Sequence, residues 1–178
     1  DVDKAIHCYK MALEKRPNNF KILNNLGLAL AKKSKTDEAI QKYQQCLELN
    51  PNSTEVLTNT GNALSDKKDF KQAITYYEKA LRIDANFSEA HYNLANALVK
   101  TGEIKQAASH YQQSLRLEPN NVDAYFGLGI AMEHSGEYDK ADEYYHKAIQ
   151  LNPDFGKAHY RLGLIFYKHY KNIDKAIE

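Results

Sequence analysis

Residues 88–121 read SEAHYNLANALVKTGEIKQAASHYQQSLRLEPNN, and the fold is decided in this stretch. From Ala90 to Lys100 it places Leu94, Ala95 and Leu98 along one face, which is helical spacing. Thr101-Gly102 then breaks the pattern. Ala107, Tyr111 and Leu115 follow at intervals of four, the stripe of a second helix. Pro119 stands just after that helix, where a residue without an N–H cannot continue the backbone ladder. The stretch therefore reads as two helices joined by a short turn.

The same pattern recurs outward in both directions. Pro17, Pro51, Pro119 and Pro153 fall at multiples of 34 residues, and Ala85 fills the slot between them. An Asn or Asp follows each, in Pro17-Asn18-Asn19, Pro51-Asn52, Ala85-Asn86, Pro119-Asn120 and Pro153-Asp154, and is expected to cap the next helix through its side-chain oxygen. Ala5, Ala39, Ala73, Ala107 and Ala141 keep the step, as do Tyr9, Tyr43, Tyr77, Tyr111 and Tyr145. A third series runs Gly27, Gly61, Ala95, Gly129, Gly163. Asp3, Asp37 and Asp139, two residues before the alanines, are expected to cap the second helices. The small residues should let paired helices approach closely, with tyrosine and leucine filling the space between neighbouring hairpins. A hairpin of this kind cannot bury both faces alone, so its neighbours must stack on it.

These positions carry a family resemblance. Proline at the repeat end, Leu-Gly or Leu-Ala in the first helix, and Ala then Tyr in the second resemble the tetratricopeptide repeat (TPR) signature across essentially all 178 residues. The resemblance implies an all-α fold, a right-handed superhelical solenoid of antiparallel helix-turn-helix repeats. The expected organisation is a single array over 1–178. Residues 1–19 are the second helix of a partial repeat; 20–53, 54–87, 88–121 and 122–155 are full repeats; 156–178 starts another. Thr60 replaces the usual leucine, Ala85 the proline, and His91 and His159 a large aromatic. Ala176 arrives one place late, which points to an extra residue in the turn around His169–Ile173.

Bulk properties exclude several classes. With 26% charged and 43% hydrophobic residues and a net charge of +1, the chain is neither collagen-like nor disordered. A near-neutral balance gives no support for a nucleic-acid partner. No apolar run approaches the roughly 20 residues that cross a bilayer, so no membrane insertion is expected. Cys8 and Cys46 are too few for a disulfide framework and suit a reducing intracellular, cytoplasmic setting. Cys46 falls at a buried small-residue position, and Cys8 nearer an outer face. The seven histidines show no paired metal-ligand spacing, and His91 and His159 read as packing residues. No phosphate-binding glycine loop or catalytic constellation is present, so no cofactor and no enzymatic activity are expected. The chain begins at Asp1 rather than Met and stops mid-pattern at Glu178, as a segment of a longer protein would.

The resemblance also implies where a partner binds. In TPR arrays the first helices line a concave groove, whose outward positions here form three rows: Asn24, Thr58, Tyr92, Phe126, Tyr160; Asn25, Asn59, Asn93, Gly127, Arg161; and Leu28, Asn62, Asn96, Ile130, Leu164. The candidate partner-binding residues are Asn25, Asn59, Asn62, Tyr92, Asn93, Asn96, Phe126, Ile130, Lys157, Tyr160 and Arg161. The amides can both donate to and accept from an extended peptide backbone, as in the TPR arm of the O-linked N-acetylglucosamine transferase; solvated groove residues are the plain alternative. Lys157 and Arg161, with Asn96, resemble the carboxylate clamp of chaperone-binding TPR domains, but Tyr92 and Gly127 stand where that clamp has a lysine and an asparagine.

The expected role is a scaffold that binds a protein or peptide segment. The alternatives are a substrate-recognition arm of a larger enzyme and a self-associating subunit of a large assembly. Both ends of the array lack a polar cap, which implies self-association through them.

Overall fold

The structure, a computed structural model, describes residues 1–170, with side chains through Lys168. Its helices are α1 (Val2–Lys15), α2 (Phe20–Lys32), α3 (Thr36–Leu49), α4 (Thr54–Asp66), α5 (Phe70–Ile83), α6 (Ser88–Thr101), α7 (Ile104–Leu117), α8 (Val122–His134), α9 (Tyr138–Leu151) and α10 (Gly156–Ile165). A stretch of π geometry, Phe166–Tyr170, continues α10. Among the described residues there is no strand. The even-numbered helices begin 34 residues apart and so do the odd-numbered ones, as the period requires. Of the turn expected around His169–Ile173, His169 and Tyr170 belong to the π stretch, and 171–173 lie outside the described residues.

The chain falls into two compact units, Asp1–Ala97 and Leu98–Glu178, with the boundary inside α6. In the first, each helix from α1 to α5 packs on the next, and α2 also touches α4. Leu23, Leu26, Leu30, Tyr43 and Val56 form its core, each under 4% exposed. In the second, α7 packs on α8, α8 on α9, and α9 on α10, around Tyr111, Leu128, Tyr145 and Ile165. Each such side chain stabilises the fold by about 1.5–3 kcal/mol through apolar burial.

The repeated tyrosine packs within its own hairpin and, at Tyr111, also against the next one. Tyr43 lies on Gly27, Tyr77 on Gly61 and Tyr145 on Gly129, so close that a Cβ on the glycine would collide with the ring. Tyr111 lies on Gly127 of the following helix, in the space between hairpins. Gly127, placed by the sequence on a groove row, is therefore buried packing surface.

The capping expectations are shifted by one or two residues. The caps of α2, α4 and α8 are Asn19, Ser53 and Asn121, which accept from Ile22, Val56 and Ala124 N–H. These are the second residues after the prolines, not the first. Before the proline slots, Asn50, Asp84 and Asn152 accept from the backbone N–H two residues on, which fixes the turn. Asp3, Asp37 and Asp139 lie inside the first turns of α1, α3 and α9 and are not caps. Asp1 and Asp69 hold the cap positions of α1 and α5. Asp3 pairs with Lys33 at 2.9 Å and Asp37 with Lys67 at 2.5 Å, bridging one hairpin to the turn of the next. Both pairs are exposed, so each contributes at most about 1 kcal/mol.

Candidate functional site

Helices α2, α4 and α6 carry a hydrogen-bonded ladder of amides and carboxylates in the first unit. Asn59 Nδ2 donates to Asn24 Oδ1 at 3.3 Å, and Asn24 Nδ2 donates to Glu55 at 2.8 Å. One repeat on, Asn93 Nδ2 donates to Asn62 Oδ1 at 2.9 Å and Asn62 Nδ2 to Glu89 at 3.4 Å. Tyr77 donates its hydroxyl to the same Asn62 oxygen at 2.8 Å, and burial pushes its phenol up to about 12. The amides are thus oriented by one another and by the carboxylates before any ligand arrives. Asn59 and Asn93 are half-buried, while Glu55 and Glu89 are exposed, so polar atoms remain open along this face.

The expected groove rows contain part of this ladder. Asn59, Asn62 and Asn93 belong to it. Asn25 does not: it lines a cavity of about 430 Å³ beside Val2, Ala5 and Tyr9 of α1, and its neighbour Asn24 takes the ladder position. Asn24 is 6% exposed and Thr58 1%, so two members of the first groove row are buried. Glu55, Glu89 and Tyr77 were missed as ladder partners. The spacing of acids at 55, 89 and 123 was a legible signal for the carboxylates. Tyr92 and Asn96 are half-buried on α6.

In the second unit the candidates separate. Phe126 packs on Tyr145 and, edge to face, on Phe155, with centroids 5.5 and 5.3 Å away, and Ile130 is half-buried. Tyr160 is 67% exposed. Lys157 is exposed, its ammonium 5.9 Å from the Phe155 ring. Arg161 is not an open cation, because it donates to Glu133 at 3.2 Å. Burial and that same carboxylate push the Tyr145 phenol far above its ordinary range.

The two histidines share one bond but not one environment. His91 Nε2 donates to Ala85 O at 3.0 Å and His159 Nε2 to Pro153 O at 2.8 Å, each tying a first helix back to the turn before it. His91 is buried as expected; His159, expected as a packing residue, is exposed. Cys46 is buried and its thiol lies 3.5 Å from Phe20 O, while Cys8 is exposed. Among the described residues, no group of three or more His, Cys, Asp and Glu could hold a metal ion. Nor, among them, is any helix long and apolar enough to cross a membrane.

Comparison with known proteins agrees with this architecture. Models described as tetratricopeptide repeat or TPR repeat match residues 1–34, 20–53, 42–75, 61–102, 92–154 and 134–178. No curated protein sequence matches. Among solved structures, MamA is 27% identical with a TM-score of 0.79, over 88% of this chain and 92% of that one. YrrB, described as a TPR protein with an unusual peptide-binding site, is 25% identical with a TM-score of 0.77, over 95% and 87%. PilF of Pseudomonas aeruginosa is 21% identical with a TM-score of 0.87, over 99% and 80%, a likeness of fold alone.

Proposed function

Because the chain belongs to the tetratricopeptide repeat family, we propose that it is a protein-interaction module that holds a segment of a partner protein and performs no catalysis of its own. The observation that carries this reading is the preformed ladder Glu55–Asn24–Asn59 and Glu89–Asn62–Asn93. Side chains already ordered by their neighbours lose little entropy on binding, and amides with open donors and acceptors suit an extended backbone. The second unit contributes a separate surface, with Tyr160 as an exposed aromatic anchor beside Lys157, and Phe126 and Ile130 as apolar support. Aromatic side chains of this kind are enriched in binding hot spots. The peptide-binding site named for YrrB supports a peptide ligand. One buried and one exposed thiol fit a reducing, intracellular setting.

The test is a comparative pull-down from lysate with three baits: the chain itself, an Asn59→Ala/Asn93→Ala variant and a Tyr160→Ala variant. Phe126 and Arg161 are left intact because both pack within the fold. A partner retained by the parent and lost from either variant, with circular dichroism unchanged, supports the reading. Identical captures by all three baits overturn it.

A further inference from the structure

A niche between α8 and α9 uses none of the residues assigned above. It is a cavity of about 730 Å³ lined by Tyr125 from α8 and by Asp142, Glu143, Tyr144, His146 and Lys147 from α9. The Tyr125 and Tyr144 rings form one wall, their centroids 6.5 Å apart and their planes tilted by 30°.

The repeat supplies an internal comparison. Sixty-eight residues earlier, Leu57, Tyr76, Lys79 and Arg82 stand where Tyr125, Tyr144, Lys147 and Gln150 stand here, and they line a cavity of about 470 Å³. In that earlier niche the chain covers its own tyrosine: Lys79 Nζ lies 5.1 Å from the Tyr76 centroid. In the later one the equivalent Lys147 donates to Gln150 at 3.2 Å instead.

The charge of the wall changes as well. Positions 142 and 143 are Ile40-Gln41, Ile74-Thr75 and Ala108-Ser109 in the other three full repeats, and carboxylates only here. Asp142 Oδ1 is buried with no hydrogen-bond partner, and Oδ2 lies 3.5 Å from His146 Nδ1. A second tyrosine and two carboxylates, beside a lysine bonded to Gln150 rather than laid over the ring, distinguish this niche from its counterpart.

We propose that the Tyr125–Tyr144–Asp142–Glu143 niche receives a lysine side chain of a partner protein. The ammonium lies against the ring faces, where the quadrupole attracts it, and within reach of the carboxylates, which neutralise it.

The experiment titrates the isotope-labelled chain with the blocked peptide acetyl-Gly-Lys-Gly-amide and follows backbone amide resonances. The neutral control is the same peptide carrying Nε-acetyllysine. A lone lysine binds weakly, in the millimolar range, since few contacts hold it. The charged peptide is expected to shift Tyr125 and residues 142–147, and the acetylated one to leave them still. An Asp142→Ile/Glu143→Thr variant, which installs the residues the chain itself carries at 74 and 75, should keep the fold and weaken binding by about tenfold. Equal shifts with the acetylated peptide, undiminished binding to the variant, or no shifts at these residues would each overturn the proposal.

Discussion

The ring of Tyr77 occupies the space that any side chain on Gly61 would need: a Cβ there would sit 2.5 Å from Tyr77 Cε1. The tyrosine is 1% exposed and its hydroxyl is held by Asn62, so the ring cannot simply swing away. Gly61→Ala should therefore destabilise the chain by about 1–3 kcal/mol, the usual cost of overpacking. Denaturant titration measures it, and an unchanged midpoint would show that the hairpin has slack. Because Tyr77 anchors the ladder through Asn62, the same variant should also weaken any ligand of that face.

The tight turns inside the hairpins recur with the period. Ser34, Lys68, Gly102 and Gly136 all have positive φ, between 58° and 88°. A side chain in that region costs about 1–2 kcal/mol, which the two glycines avoid. Lys68→Gly should raise stability by about 0.5–1 kcal/mol once the freer unfolded chain is counted. Thermal melting checks this, with Ser34→Gly as the independent second case. A lower melting temperature in both would refute the strain reading.

The sequence made the hairpin legible because its markers are few and hard to replace. A proline ends a helix whatever surrounds it, and a glycine under a tyrosine leaves little room for a side chain, with Ala95 the exception in the series. The caps and ladder were read less well, for a geometric reason. Which of two adjacent asparagines faces the neighbouring helix depends on about 100° of rotation, and the period alone does not fix that phase. Of the two groove asparagines it is Asn24 that joins the ladder, and Asn19 and Asn121, the second residues after the prolines, provide the caps. The change in the α8–α9 niche was written plainly in the repeat, as acids at 142 and 143. That these acids share a cavity with Tyr125 and Tyr144 is visible only in the coordinates.

The cap assignment can be tested directly. Asn121→Ala should cost about 1 kcal/mol, since Ala124 N–H loses its 2.9 Å acceptor. Asn120→Ala, one residue away and exposed, should change stability by no more than about 0.5 kcal/mol. Chemical denaturation of the pair separates the readings. If Asn120→Ala proves the costlier change, the cap belongs to the residue after the proline.

The final prediction concerns alkaline pH. Burial, with a smaller contribution from Glu55, pushes the Cys46 thiol from 9.0 up to about 11. The unfolded chain thus releases this proton at lower pH than the folded one, so deprotonation favours unfolding. The stability linked to the buried, neutral thiol is fully present below pH 9 and is lost as pH rises from there towards about 11. Tyr77, held up to about 12, adds a second decline above pH 10 by the same logic. Cys46→Ala should remove the first decline and keep the second. Alanine stands at the equivalent positions, Ala80 and Ala148, where it is fully buried, so the variant should fold. Denaturation midpoints of both proteins across pH 8–12 decide the matter. Parallel curves would mean that the thiol ionises without opening the hairpin, and that its burial is not linked to folding.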